Sequence, residues 1–162
     1  LCNIPVEVDV ASEFRYRNPI LDKSTLCIFV SQSGETADTI AALKLAKSSG
    51  AKTIAISNVI GSSITREADY TLYTHAGPEI AVATTKAYSE QLIAGYCLAI
   101  QFAYVRGNID EKQYDYYIAE MRSLPDKIVR IIEDKERIQW FASKYANAKD
   151  VFFDYHDKDV VF

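Results

Sequence analysis

Apolar residues fall along this chain in two rhythms. Through the first half they come as short runs rich in β-branched residues, at 6–10, 26–30 and 53–57, a pattern that predicts strands. Between the last two runs, residues 36–49 place Ile40, Leu43 and Ala46 at helical spacing, carry Asp38 near the start and Lys44 and Lys47 near the end, and stop at Gly50. Acid first, base last and a glycine beyond the final turn all agree with a helix and its dipole. Strand, helix and strand make a βαβ unit, so a parallel sheet is expected. A turn-rich loop at 58–63, a short helical turn at 64–68 and a further strand at 70–74 extend it. Apolar runs without alternation imply a sheet covered on both faces, with right-handed crossovers collecting the strand-end loops on one rim.

The second half is helical in period. Residues 84–105 read as one long helix, apolar nearly all round and therefore expected to be well buried. Two more helical patterns follow at 111–123 and 126–146, the second broken near Glu133-Asp134, where an aspartate can cap a new helix. Leu124-Pro125 is the clear breaker of this half. A strand-like run at 150–153 precedes a charged ending at 154–159 and an apolar Val160-Val161-Phe162. With 162 residues, the whole fits one layered α/β domain with a real core.

Composition changes this picture only by exclusion. A hydrophobic share of 49% with 25% charged residues argues against disorder. The net charge of −4 and dispersed basic residues leave no footprint for a nucleic-acid backbone. No segment approaches the ~20 apolar residues of a membrane span, so neither membrane nor nucleic acid is expected as a partner. Cys2, Cys27 and Cys97 are odd in number and two of them sit in apolar runs, which favours a reducing cytoplasm. His75 and His156 are the only histidines, and no cysteine pair has ligand spacing, so no metal is expected.

The chemistry concentrates where the run at 26–30 stops, at Ser31-Gln32-Ser33-Gly34-Glu35-Thr36. A helix start carries unpaired N–H groups and partial positive charge, so hydroxyls and a glycine placed there suit a phosphate. The other reading of the same hydroxyls is as ordinary helix caps. Neither G-x-x-x-x-G-K-[ST] nor G-x-G-x-x-G occurs, which excludes the usual nucleotide loops, and the absence of a phosphate-gripping lysine points to a sugar monophosphate. A second hydroxyl cluster, Thr84-Thr85-Lys86, opens the long helix on the same rim, either to hold the far end of such a ligand or as caps alone. Gln32 is placed to read a sugar hydroxyl or to be solvated. No G-x-S-x-G elbow supports a serine hydrolase. Arg15-Tyr16-Arg17 reads as a grip for a carboxylate or phosphate, or as a subunit contact.

Three motifs together, residues 31–39, Glu13-Phe14-Arg15-Tyr16-Arg17 and Thr84-Thr85-Lys86-Ala87-Tyr88, resemble the sugar isomerase (SIS) domain family, in particular the first such domain of glutamine–fructose-6-phosphate amidotransferases. The resemblance spans about residues 4–153 and implies a flavodoxin-like αβα sandwich with extra C-terminal helices and a five-stranded parallel sheet. It also implies fructose 6-phosphate or glucosamine 6-phosphate as ligand, with Ser31, Gln32, Ser33 and Thr36 at the phosphate and Val82 and Thr84 completing the sugar site. No cofactor is implied. The catalytic glutamate, lysine and histidine of such enzymes have no matching position here, so the resemblance implies a binding half without catalytic residues of its own. Its implied partners are a second SIS half and a glutaminase domain, and a G-T-S-x-x-A strand would precede Ile4. Residues 1–153 are then the SIS domain and 154–162 a tail with no counterpart. The long apolar helix adds an expected homodimer. Two other roles share the same loop: a sensor module without catalysis, and part of a fructosamine-phosphate deglycase. The absence of a basic helix-turn-helix weakens the regulator form of the sensor.

Overall fold

The structure, a computed structural model, describes residues 1–80 and 84–150. The chain divides into two compact units, Leu1–Ile118 and a second that begins at Ala119.

In the first unit β1 (Leu26–Ser31), β2 (Lys52–Ser57) and β3 (Tyr70–Tyr73) form a parallel sheet in the order β1-β2-β3. Phe29 lies beside Ala55 and Val30 beside Ile56, which fixes the two faces. On the Phe29 face lie α1 (Ala11–Phe14), α2 (Ala37–Ser48) and α3 (Ser63–Glu67). Ala42, Leu43 and Ala46 of α2 and Ile64 of α3 pack there with Phe29 and Ala55, and Phe14 meets Phe29 edge-on at 6.5 Å. The alanines let α2 approach the strands closely, while Leu43 and Ile64, wholly buried, supply the volume. α4 (Thr85–Val105) packs on β2 and shares the Val30 side of the sheet. Helix, sheet and helix make an αβα sandwich.

Local sequence accounts for the central βαβ unit. α2 ends as expected at Gly50, in the left-handed region at φ +87°, where the Gly50 N–H donates to Lys47 O and Ala51 N–H to Ala46 O. This pair of bonds satisfies carbonyls that the helix leaves open. Asp69, at the α3–β3 turn, then ties to β2. Its carboxylate accepts the Thr53 N–H at 2.9 Å and the Thr53 hydroxyl at 3.0 Å, with Lys47 Nζ 3.4 Å away.

Those Thr53 bonds, the backbone one foremost, hold the Asp69 carboxyl below its ordinary value, with Lys47 assisting. Because the folded value lies below the unfolded one, this contribution is complete above the unfolded carboxylate range. It is lost as pH falls through the folded value. Urea unfolding between about pH 6 and pH 3 is therefore expected to show a steeper acid loss for the native protein than for Asp69→Asn. Equal slopes would mean that the Thr53 bonds carry no linkage.

Three expectations are corrected. Residues 6–10 form no strand, and Val6, Val8 and Val10 are exposed. Their alternation favours extended backbone, but a strand also needs a hydrogen-bonded neighbour, and none of the described strands lies beside them. The sheet is not covered on both faces throughout: along β1, Phe29 and Ser31 are buried while Leu26, Ile28 and Val30 are 42 to 48% exposed. The long helix buries only Ala87, Ala94, Ile100 and Ala103 among the described residues, a narrow stripe of mostly small side chains, and leaves Tyr88, Tyr96 and Val105 exposed. Apolar residues on every side of this helix favour no one face, and only the stripe that meets the strands is covered.

α5 (Glu111–Arg122) precedes α6 (Leu124–Glu133) and α7 (Lys135–Lys144). Pro125 opens α6 in its first turn, where its missing N–H has no intrahelical partner to lose. Asp134 both ends α6 and starts α7, at the expected break. Beyond residue 150 the strand expected at 150–153 lies outside the described residues. Among the described residues no helix is long and apolar enough to cross a membrane.

Candidate functional site

β1 ends at Ser31 and α2 begins at Ala37, so the connecting loop must turn sharply. Gly34 takes the turn at φ +67°. Ser31 Oγ accepts the Gly34 N–H at 3.1 Å and hydrogen-bonds Thr36 Oγ1 at 3.3 Å, which draws the two ends of the loop together. Ser33 Oγ accepts the Glu35 N–H at 3.2 Å.

The loop is braced from behind. Asn58 N–H donates to Gln32 O at 3.1 Å and Ile64 N–H to Gly34 O at 3.0 Å, joining it to the β2–α3 connection and to the first turn of α3. Glu35 Oε1 accepts the Ser63 N–H at 2.7 Å, at the start of α3. Ser63, by its hydroxyl and then its backbone N–H, holds the Glu35 carboxyl below its ordinary value, and the Arg66 charge adds to this. Arg66 itself is fixed by Gly61 O and by Ser63 Oγ. The acidic side chain of the loop is thus engaged with α3 rather than aimed at an anion.

In front lies a cleft of about 520 Å³, lined by the loop and by residues of β1, α2 and the start of α4. Ser31, Gln32, Ser33, Thr36 and Thr84, five of the six residues expected at the site, line it together. Val82, the sixth, lies outside the described residues. Neither Thr36 nor Thr84 makes a side-chain cap bond to its helix, so capping does not account for these hydroxyls. The Thr84 backbone is left-handed at φ +57°, an uncommon conformation for a β-branched residue that costs on the order of 1 kcal/mol or more. Thr39, Tyr88 and Gln91 also line the cleft. Their spacing signals them: Thr39 is three residues after Thr36, and Tyr88 and Gln91 are four and seven after Thr84, each on the same helix face.

Among the described residues the lining holds no lysine or arginine, so positive potential there comes from the uncapped N-terminus of α2. Asp38 in its first turn would oppose an anion, but Arg15 pairs with it at 3.0 Å and lies over the Tyr16 ring at 4.9 Å. Arg15 therefore has an intrachain partner. Lys86 donates to Pro78 O at 2.5 Å. Among the described residues no cluster of three His, Cys, Asp or Glu side chains suits a metal ion. Burial raises the Cys27 thiol above its ordinary value, as for a small core residue.

The SIS domain model matches residues 1–101. The chain is 60% identical over 150 residues to the isomerizing glutamine–fructose-6-phosphate aminotransferase of Caldanaerobacter subterraneus, covering 93% of this chain and 25% of that protein. It is 58% identical over 153 residues to the enzyme of the same name from Clostridium tetani, covering 94% and 25% respectively. Among solved structures it superposes with a TM-score of 0.85 on the C-terminal domain of glucosamine-fructose-6-phosphate aminotransferase from Francisella tularensis, at 31% identity over 90% of this chain and 42% of that one. It spans about a quarter of the length of the curated relatives that it matches. By sequence, fold and the serine-rich loop after its first strand, the chain belongs to the SIS domain family.

Proposed function

We propose that this chain is the sugar-phosphate-binding part of a glutamine-dependent, hexosamine-forming amidotransferase and isomerase, and that its cleft takes fructose 6-phosphate or glucosamine 6-phosphate. Ser31, Gln32, Ser33 and Thr36 receive the phosphate with the N-terminal amides of α2, and Val82 and Thr84 complete the sugar side. The observation that carries this reading is the gathering of uncharged hydroxyls around an uncapped helix start at the carboxyl end of β1, where open α/β sheets collect ligands. The cleft volume lies in the range for a small molecule, about 300–1,000 Å³. The names of the relatives support the choice of hexose phosphate.

In the whole enzyme the amide nitrogen of glutamine would pass to fructose 6-phosphate, and proton transfer between adjacent carbons would convert the ketose imine to glucosamine 6-phosphate. This chain, residues 1–153 being its SIS domain, supplies the hold on the phosphate. A second SIS half and a glutaminase domain supply the chemistry, in a cytoplasmic homodimer. A phosphate gripped by neutral donors needs no metal and no leaving-group stabilisation. Its oxygens accept charge-assisted bonds, each contributing about 1.5–3 kcal/mol. Calorimetric titration with both hexose phosphates is therefore expected to show Ser33→Ala and Thr36→Ala binding about ten- to a hundredfold more weakly than the native chain. Affinities equal to native would remove the loop from the site.

A further inference from the structure

Resting on the phosphate reading above, we propose that Thr39 and Gln91 are specificity-determining residues of the cleft. They would hydrogen-bond the hydroxyl-bearing carbon skeleton of a phosphorylated polyol while the loop after β1 holds its phosphate.

Thr39 is only 7% exposed, yet its hydroxyl makes no hydrogen bond to any described residue. Threonine inside a helix commonly satisfies its hydroxyl on a carbonyl one turn back. This one does not. Among the described residues no fully sealed side-chain nitrogen or oxygen lacks a partner, so the Thr39 hydroxyl keeps its access through the cleft that it lines. It sits three residues beyond Thr36 on the same face of α2, a turn deeper than the phosphate loop.

Gln91 faces the cleft from the other helix. It continues the stripe of Thr84 and Tyr88 along α4, seven residues and about 10 Å of helix axis beyond Thr84. The residue is half-buried, and its carboxamide makes no hydrogen bond to a described residue. A hydroxyl and a carboxamide offer donors and acceptors together without charge, which matches alcohols rather than a dianion. Their displacement from the loop calls for a ligand longer than phosphate alone. Polar groups left open in this way, one buried and one half-buried, also reject a ligand that brings no hydroxyl to them, because such a ligand leaves them desolvated and unpaired.

The test compares two probes on the full chain: fructose 6-phosphate by calorimetry, and inorganic phosphate by the NMR shifts of the Ser33 and Gly34 amides. Thr39→Val and Gln91→Leu are each expected to weaken fructose 6-phosphate about three- to tenfold, the scale of one uncharged hydrogen bond. Both should leave the inorganic phosphate titration unchanged, and Thr39→Ser should restore the sugar affinity. Unchanged fructose 6-phosphate binding in both variants would overturn the proposal, and so would an equal loss of both probes, which marks a structural role only. Ser33→Ala reports separately on the phosphate reading, since it should weaken both probes. If Ser33→Ala leaves both untouched, or the native chain binds neither probe, the phosphate reading fails and this inference falls with it.

Discussion

Gly34→Ala is expected to lower stability by about 2–5 kcal/mol and to remove sugar-phosphate binding with it. Two separate causes add. At φ +67° any side chain meets its own backbone, a cost of about 1–2 kcal/mol. An added Cβ would then lie 2.6 Å from Ser62 Cβ, 2.8 Å from Ser57 Oγ and closer still to Ser62 Oγ. Ser57 and Ser62 are 0% and 3% exposed, so neither has room to withdraw, and such overpacking costs about 1–3 kcal/mol. If the loop moves instead, it gives up the bond from Ile64 N–H to Gly34 O and that from Ser63 N–H to Glu35. Ser62→Gly should rescue part of the loss, because it removes the two closest atoms and leaves the backbone cost and the Ser57 Oγ contact. Urea unfolding of the two single variants and the double, with fructose 6-phosphate titration of each, checks both claims. A Gly34→Ala protein of native stability would mean that α3 does not stand behind the loop.

Much of this site was legible in the chain because its signals are local. The apolar run ends at Ser31, Asp38 and Lys47 suit the two ends of one helix, and Gly50 closes it, all within 20 residues of one another. Such signals need no knowledge of what lies across the fold. Residues 6–10 show the opposite case, since their alternation is strand-like and only a neighbour in space could have made it a strand. The direction of α4 was equally hidden. Apolar residues surround it, and which stripe meets β2 depends on the approach of the sheet rather than on the period. For the same reason Thr39 and Gln91 are less legible than Ser31 and Thr84: their spacing sets each on a helix face, but that face becomes part of a cleft only when α2 and α4 are set around the end of β1. The contact of Gly34 with Ser62 is also long-range, although the glycine itself announced a turn.

The face of α2 that carries the site continues into the core, which gives the second large prediction. Thr36, Thr39, Leu43 and Ala46 follow one another at spacings of three and four, polar at the cleft and apolar against the sheet. A helix start without a side-chain cap forgoes about 1 kcal/mol, so α2 depends on the buried end of this stripe to stay in place. Leu43 is fully buried in a cluster with Phe29, Ile64 and four alanines, Ala42, Ala46, Ala51 and Ala55, and the alanines have no side chain long enough to swing into a space left by its removal. Leu43→Ala should therefore lose about 3 to 5 kcal/mol, in the upper part of the range for such truncations. Leu43→Met, which keeps the volume, should lose less than about 1.5 kcal/mol. Urea unfolding at neutral pH measures both. A loss below about 1 kcal/mol for Leu43→Ala would show that α2 is held by something other than this packing.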